Sequence, residues 1–362
     1  MTYFDYAATT PMSNAALATY TQVAQDFWGN PSSHHEIGNR ANGLLQHCRQ
    51  TITDLMQVPL QSVIFTSGGS QSNELAIRMA LQQLAANHRE ILVSPIEHAS
   101  VHHILAGQPN ITIRQLPLNA HGQATPALLA KAITAQTGLI ILQAVNSVTG
   151  IIQPIAELAT IAAEHGILFH CDGVQAFTKY DVPTHVSSYS ASSHKIYGPK
   201  GTGLLYLNPN VPYQPLYPGT THEFGFRPGT IDVPSIAAFT TAVQAAYASR
   251  TADFKHYEQL RKQLLQALPE WSNLLAYETF PGIVGIFSPE AVGNKFVDTL
   301  HEQGFAISTT SACNDFTALD PAIMAAGIDA NTASRFARVS FGTPTTTEEV
   351  MALTNALLSL QN

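Results

Sequence analysis

The chain is poor in charged side chains, and those it has are not clustered. Charged residues make up 12% of the 362 positions, with 17 basic against 25 acidic residues and a formal net charge of −8. A surface that binds nucleic acid or an anionic membrane needs grouped lysine and arginine, and the sequence contains no such run. We therefore expect no direct nucleic-acid partner and no membrane partner.

Long apolar runs and paired cysteines are also absent. No stretch approaches the length of a membrane-spanning helix, and the N-terminus lacks a basic region followed by an apolar one, so we expect a cytoplasmic protein. The three cysteines, Cys48, Cys171 and Cys313, are odd in number and lack CxxC spacing, which argues against a disulfide framework and a structural zinc site. The 15 histidines lack ligand spacing, so no metal is predicted.

Between about residues 60 and 210, short β-branched runs alternate with amphipathic segments. This alternation predicts a largely parallel sheet covered by helices on both faces. The predicted strands are SVIFT, EILVSP, ITIRQLPL, GLIILQAV, ILFHCD, SSYSAS and GTGLLYLN. The predicted helices between them are NELAIRMALQQLA, residues 99–106, TPALLAKAI and PIAELATIAAEHG.

A chain of 362 residues exceeds the usual size of a single core, so two domains are expected. A long helix is predicted from Pro234 toward residue 250, followed by a separate helix, DFKHYEQLRKQLLQAL, and short strands around IVGIFS and RFARVSFG. The closing helix, TTTEEVMALTNALLSL, begins with a predicted capping box. We predict an α/β fold with a large domain at 12–250 and a smaller α+β domain formed by 1–11 and 251–362.

Lys195 and Asp172 are the most informative polar residues. Lys195 lies in SASSHKIYGPKG, after a predicted strand and before a glycine turn, and Asp172 ends the preceding strand. A desolvated lysine attacks a carbonyl as a free amine, and a carboxylate nearby can hold a protonated ring nitrogen. Enzymes that use pyridoxal phosphate (PLP) need both groups. Each residue alone has an ordinary alternative, a solvated surface lysine or a carboxylate that caps a helix or turn.

Other polar residues follow neighbouring strands, at the edge where parallel sheets bind ligands. Gly69 and Ser70 form a glycine turn before a helix, where backbone N–H groups suit a phosphate, although an ordinary turn has the same pattern. The turn matches neither GxGxxG nor GxxxxGK[ST]. His98 offers a ring that can stack and exchange protons, or a simple helix cap. The remaining residues of this set are Asn146, Gln175, Ser192 and His194.

In this order, these segments resemble the cysteine desulfurases, PLP enzymes of the class V aminotransferase group that supply sulfur for iron–sulfur cluster assembly. The similar segments span nearly the whole chain and are YFDYAATTP, GNPSS, IFTSGGSQSNELAI, EHASV, NSVTGIIQPI, HCDGVQAF, SSHKIYGPKGTG, FRPGT, STTSAC and RVSFGTPTT. The resemblance implies the type I fold of PLP-dependent transferases, with a mostly parallel central sheet, and a homodimer.

The resemblance also implies residue roles. Lys195 is implied to form the Schiff base with PLP, His98 to stack on the ring and act in catalysis, and Asp172 to pair with the ring nitrogen. The implied phosphate ligands are Gly69, Ser70, Ser192, His194 and, from the neighbouring subunit, Thr230. The residues implied at the phenolic oxygen are Asn146 and Gln175, and those implied at the substrate carboxylate are Asn30 and Arg338.

Cys313 is the implied nucleophile, with L-cysteine as substrate. Its thiolate is implied to attack the substrate sulfur, which leaves a persulfide on the protein and releases alanine. The sulfur then passes to an acceptor protein, either a scaffold or a thiolation enzyme. An inert buried thiol is the alternative for Cys313. The loop STTSAC is predicted to be mobile, but Thr310 stands where the family commonly has glycine, whose backbone is freer.

Two other functions stay open at this stage. One is a selenocysteine lyase or another class V PLP lyase on the same fold. The other is a sulfur-relay protein with weak intrinsic catalysis, which the altered cysteine loop motivates. A fold of this kind that does not use PLP is a further alternative, and the sequence alone does not name the sulfur acceptor.

Overall fold

The computed structural model describes residues 1–274, 278–289, 293–309 and 319–360. The strands are β1 (Thr2–Tyr3), β2 (Val63–Thr66), β3 (Glu90–Val93), β4 (Thr112–Gln115), β5 (Thr137–Gln143), β6 (Leu168–Asp172), β7 (Ser188–Ser192), β8 (Gly203–Leu207), β9 (Ser272–Asn273), β10 (Ile283–Phe287), β11 (Phe305–Ala306) and β12 (Phe336–Ser340). The helices are α1 (Asn14–Asp26), α2 (Glu36–Met56), α3 (Gly69–Gln83), α4 (Ala99–Ala106), α5 (Pro126–Ala132), α6 (Ile155–Glu164), α7 (Val233–Gln266), α8 (Gly293–Glu302), α9 (Pro321–Ala325), α10 (Ala330–Ala333) and α11 (Thr347–Ser359).

The central sheet has the strand order β2-β8-β7-β6-β5-β3-β4 within the described part of the chain. The strand β8 runs antiparallel to its neighbours β2 and β7, and the remaining neighbouring pairs are parallel. The prediction of a mostly parallel sheet in an α/β fold is therefore confirmed. Because β3, β5, β6 and β7 point the same way, their carboxyl ends meet at one edge of the sheet.

Burial explains why these segments form strands and helices. Every residue of β5 is buried, as expected for a strand covered by helices on both faces, and its sequence TGLIILQ is a continuous rather than an alternating apolar run. The helix α6 buries Ile155, Leu158, Ala159 and Ala162, which recur at helical spacing along one face. Among the described residues, no helix combines the length and the apolarity that a membrane crossing requires.

The helix α7 differs from the sequence prediction. Two helices separated near residue 250 were expected, but one continuous helix runs from Val233 to Gln266, with Asp232 as its N-cap. The reason is that no glycine or proline interrupts the sequence between Pro234 and Pro269, so nothing breaks the hydrogen-bond ladder. The predicted capping box of the closing helix is confirmed, since Thr346 and Glu349 cap α11 reciprocally.

Two smaller sheets lie outside the central one. The strands β12, β10 and β9 form an antiparallel sheet, and β1 pairs in parallel with β11. These pairings bring the first residues of the chain beside its last third, as a domain of 1–11 and 251–362 requires. One hydrophobic cluster nevertheless includes residues from both sides of that boundary, such as Phe169 and Val339. The division at residues 11 and 250 stays a prediction.

A buried ion pair fixes the segment that leads to Thr230. Arg49 and Glu223 join through two contacts, Nη2 to Oε1 at 2.6 Å and Nη1 to Oε2 at 3.0 Å, and both side chains are almost fully buried. Glu223 Oε2 also accepts a hydrogen bond from the backbone N–H of Phe65 at 2.6 Å. Glu223 and Phe224 have φ angles of 43° and 56°, a left-handed conformation that is costly for such residues, so the ion pair holds a strained turn in place.

We expect Arg49→Met to lower the free energy of unfolding by about 3–5 kcal/mol, because it leaves the Glu223 carboxylate buried without its partner. Urea titration of the wild-type and variant proteins measures this loss. The matched control is Arg78→Met, which removes the exposed pair between Arg78 and Glu74 and costs less than about 1 kcal/mol. Equal losses in the two variants would contradict the prediction.

Candidate active site

A cavity of about 300 Å³ lies at the carboxyl ends of the parallel strands. Most of the predicted site residues line it: Gly69, Ser70, His98, Asp172, Gln175, Ser192, His194, Lys195 and Arg338. The other lining residues are Ala7, Ala8, Asn73, Gln143, Val145, Ser147 and Val174. The sheet topology thus brings together side chains that are up to 269 positions apart in the predicted set, between Gly69 and Arg338.

Lys195 ends the 3₁₀ turn Ser193–Lys195 that directly follows β7. The side chain is half-buried, and Nζ donates hydrogen bonds to the carbonyl oxygens of Ala7 at 2.6 Å and Ala8 at 2.8 Å. These contacts hold the amine at the cavity wall and set it apart from a solvated surface lysine. The N-terminal segment therefore holds the lysine side chain in place through two backbone carbonyl groups.

Asp172 is the last residue of β6 and is buried. Its Oδ2 accepts a hydrogen bond from Nδ2 of Asn73 at 2.8 Å, and its Oδ1 accepts one from the backbone N–H of Val174 at 3.0 Å. The second contact is the turn contact that the sequence left open as an alternative. Because the carboxylate also lines the cavity, Asp172 can stabilise the turn and still be available to a ring nitrogen.

The start of α3 forms an anion cradle. No side chain caps this helix, and Gly68, its N-cap residue, has φ 138°, a conformation that favours glycine. A Cβ atom at Gly69 would lie 2.5 Å from Cγ2 of Val174, so only glycine lets the start of α3 pack this closely against that side chain. Unpaired N–H groups and the helix dipole make such a terminus suitable for a phosphate.

His194 lies beside this cradle and is neutral at physiological pH. Burial lowers its pKa to about 4, with further lowering by the charges of Lys195 and Lys200. Its Nδ1 is 3.0 Å from Oγ1 of Thr9, a contact that orients the ring. A neutral imidazole at this position acts as a hydrogen-bonding group rather than as a fixed positive charge.

His98 follows β3 and caps the helix α4. Its Nδ1 accepts a hydrogen bond from the backbone N–H of Ser100 at 3.1 Å, so the helix-cap alternative is confirmed. The ring is half-buried and also lines the cavity, and burial lowers its pKa. A single histidine thus serves both the helix and the site.

Arg338, in the middle of β12, reaches the cavity from the smaller antiparallel sheet. Its Nη2 contacts Oδ1 of Asp5 at 2.6 Å, and its Nη1 donates to the carbonyl oxygen of Ser147 at 2.7 Å. The side chain is 1% exposed, and within the described residues its Nε has no partner. A buried guanidinium with an unused donor is well suited to a carboxylate ligand.

Three predicted site residues lie off the cavity. Asn146 is buried, but its Oδ1 accepts hydrogen bonds from the backbone N–H groups of Val148 and Thr149 and thereby closes a turn. Asn30 and Thr230 are exposed and do not line the cavity of their own chain. Cys313 and Thr310 lie outside the described residues, and so does most of the cysteine loop.

The two described cysteines are poor nucleophiles. Cys48 and Cys171 are buried free thiols, and burial raises the pKa of both, strongly so for Cys171, which also lies near two carboxylates. The thiolate is the reactive form of cysteine, and a raised pKa keeps its population low. If the chain uses a cysteine nucleophile, these two side chains do not supply it.

Sequence reasoning missed two supporting residues, Asn73 and Asp5. Asn73 was assigned only to a helix, although its position four residues after Gly69 places it on the same helix face, which is the signal that reveals it. Asp5 gave no local signal, because its partner Arg338 is 333 positions away and only the fold brings them together.

The residues around the cavity fit PLP. They offer an amine for an aldehyde, a carboxylate for a ring nitrogen, a flat ring for stacking and, for a phosphate, a helix N-terminus that no side chain caps. Within the described ranges, by contrast, no group of three or more histidine, cysteine, aspartate or glutamate side chains is arranged to hold a metal ion.

Comparison with known proteins agrees with this geometry. The family model Aminotransferase class-V matches residues 2–353. A protein named putative cysteine desulfurase NifS, from Bacillus subtilis (strain 168), is 37% identical over 366 residues, which cover 98% of this chain and 93% of the relative.

Two solved structures have the same fold. One, named NifS-like protein, has a TM-score of 0.91 at 26% identity and covers 99% of both chains. Another, named SspA in complex with cysteine, has a TM-score of 0.80 at 28% identity and covers 94% of this chain and 99% of its own. The chain therefore belongs to the aminotransferase class-V family, among relatives that are named cysteine desulfurases.

Proposed function

We propose that the protein is a PLP-dependent cysteine desulfurase that converts L-cysteine to L-alanine and carries the sulfur as a persulfide on Cys313. The observation that carries this proposal is the single cavity that Lys195, Asp172 and Arg338 share. An amine, a carboxylate and a guanidinium drawn from three separate elements are the groups that an amino-acid substrate and this cofactor need. Relatives named cysteine desulfurases, and a neighbour solved with cysteine, support the choice of substrate.

Each part of the cofactor would be bound by residues of matching chemistry. Lys195 would bind its aldehyde carbon, Asp172 its ring nitrogen and His98 its ring face, while Gln175 stays the residue proposed for the phenolic oxygen. Those proposed for the phosphate are Gly69, Ser70, Ser192, His194 and Thr230 of the partner subunit. When bound, the cofactor supplies an electron sink that weakens the bond between Cα and its hydrogen in an amino acid.

The chain's own groups would orient the substrate and move its proton. Arg338 would bind the substrate carboxylate, for which its unpaired Nε is a free donor within the described residues. Asp5 and the carbonyl of Ser147 hold the guanidinium in place, so little side-chain entropy is lost on binding. Lys195 is the amine that would take the Cα proton.

Cys313 is the nucleophile proposed for the transfer of sulfur. Its thiolate would attack the substrate sulfur, so that a new S–S bond forms while the Cβ–S bond of the substrate breaks. The electron pair of the broken bond stays with the carbon fragment, which takes up a proton and leaves as alanine. The raised thiol pKa values of Cys48 and Cys171 support this assignment, because neither competes as a thiolate.

The proposal includes a homodimer, in which the exposed Thr230 serves the neighbouring subunit rather than its own. The buried pair of Arg49 and Glu223 anchors the chain seven positions before Thr230. The cytoplasmic location and the transfer of sulfur to a scaffold or a thiolation enzyme stay predictions from the sequence.

We expect Lys195→Ala to abolish the near-visible absorbance of the purified protein, because the variant lacks the amine that would bind the cofactor. Borohydride reduction followed by peptide mapping should find a pyridoxyl adduct on Lys195 in the wild-type protein. The matched control is Lys179→Met. Lys179 has a pKa lowered by burial to about 7 and is a competing amine, yet it donates to the carbonyl of Gln175. An adduct on Lys179, or none at all, would refute the cofactor assignment.

We expect Cys313→Ala to retain the cofactor absorbance and to lose sulfide release from L-cysteine by at least about 100-fold, because the variant lacks the attacking thiolate. Sulfide release under a reductant measures the loss. The control is Cys48→Ala, which removes a buried thiol that does not line the cavity and should leave turnover unchanged.

The same assay separates the alternatives. Unchanged sulfide release in Cys313→Ala would reject the persulfide mechanism, and faster turnover of selenocysteine than of cysteine would identify a selenocysteine lyase. Sulfide release that requires an added acceptor protein would identify a sulfur-relay protein.

A further inference from the structure

A chain of hydrogen bonds connects the carboxylate of Asp172 to the ring of His98. Asn73 Nδ2 lies 2.8 Å from Asp172 Oδ2 and 3.2 Å from Ser100 Oγ. Ser100 Oγ in turn lies 2.8 Å from Nδ1 of His98. Behind Asn73, its Oδ1 lies 3.0 Å from Nε2 of the buried His170. The chemistry of these groups decides which atom donates in each contact.

The amide of Asn73 has only one consistent orientation. The carboxylate oxygen of Asp172 accepts this hydrogen bond, so the Asn73 atom that faces it is the NH₂ group. Its carbonyl oxygen then faces His170, which must donate from Nε2. Burial lowers the pKa of His170 to about 4, so the ring is neutral, and its Nδ1 lies 2.9 Å from the hydroxyl oxygen of Ser188.

The orientation of Asn73 fixes the hydroxyl of Ser100. Its Oγ accepts a hydrogen bond from Asn73 Nδ2 and, because the backbone N–H of Ser100 already donates to Nδ1 of His98, it meets that nitrogen as a donor. The backbone N–H of Ser100 points to the same nitrogen, at 3.1 Å. Two donors therefore face Nδ1 of His98, and this nitrogen cannot also carry a hydrogen. In the neutral ring, the proton must lie on Nε2.

We infer that Ser100, oriented by Asn73, is a positioning residue that holds His98 as the Nε2–H tautomer, so that the ring presents a hydrogen-bond donor to the cavity and not a base. For Nε2 to accept a proton from a ligand, it would first have to give up its own, and Nδ1 is blocked by the two Ser100 donors. Within the proposed function, on which this reading of catalysis rests, His98 donates a hydrogen bond from Nε2 to a ligand atom, and Lys195 is the residue that takes the proton.

Nitrogen NMR of the full-length chain, labelled with ¹⁵N at histidine, tests the tautomer directly. The signals of His98 are identified by their loss in His98→Gln, and the spectra are recorded with and without PLP. At a pH above the titration range of the ring, Nδ1 should have the chemical shift of an unprotonated nitrogen and Nε2 that of a protonated one. A protonated Nδ1 in the wild-type protein would overturn the inference.

Ser100→Ala removes one of the two donors to Nδ1 and keeps the backbone N–H. We expect the population of the Nδ1–H tautomer to rise about fivefold, the effect of losing one neutral hydrogen bond. Ser100→Thr keeps a hydroxyl and should restore the wild-type spectrum. The matched control is Ser190→Ala, because the Ser190 hydroxyl is also buried but has no partner among the described residues. An Nδ1–H signal that rises equally in Ser190→Ala, or not at all in Ser100→Ala, counts against the role of Ser100.

Turnover gives a second measurement. The side-chain amide of His98→Gln still supplies an N–H donor near the position of Nε2 but cannot titrate, whereas His98→Ala supplies neither. If His98 is a donor, sulfide release by His98→Gln should exceed that by His98→Ala by about tenfold, whereas the loss of a base would lower both equally, by about 100-fold or more. Because the NMR experiment needs no turnover, a protein that shows the expected tautomer but releases no sulfide refutes the proposed function alone.

Discussion

Strands that run parallel in one sheet all end at the same edge. Where the chain leaves each strand at that edge, its buried backbone and side-chain polar groups need hydrogen-bond partners. At this edge a buried carboxylate is costly unless hydrogen bonds compensate for the water it has lost. Asp172 meets that condition through Asn73 and the backbone of Val174. The helix α3 therefore has two roles at the site. Its first residue, Gly69, belongs to the anion cradle, and its Asn73 side chain donates the hydrogen bond that compensates the buried carboxylate of Asp172.

Hydrophobic periodicity was enough to predict the strands and helices of the central sheet, and strand ends were enough to find Lys195, Asp172 and His98. Local patterns could not predict contacts between distant segments. Arg338 is held by Asp5, and Lys195 by the carbonyls of Ala7 and Ala8, and only the folded structure brings these distant segments together. The prediction of two helices in place of α7 was wrong for a different reason. A change of hydrophobic pattern does not end a helix when the sequence there has no glycine or proline.

The histidines near the cavity share one electrostatic property. Burial is the largest cause that lowers the pKa of His98, His170 and His194, so all three rings are neutral at physiological pH. A neutral imidazole has one donor and one acceptor nitrogen, and its neighbours decide which is which. These rings therefore contribute direction more than charge. For His98 and His170 the orientation follows from the Asn73 amide, which Asp172 itself orients, whereas His194 is oriented by Thr9.

The first ten residues of the chain make several of the contacts that hold the site residues in place. They supply the carboxylate that braces Arg338, the two carbonyls that seat Lys195 and the hydroxyl beside His194. None of them belongs to the central sheet. A protease that removed these ten residues would take away both the supports of Lys195 and Arg338 and the core residue Phe4, so a purification tag is better attached at the opposite terminus.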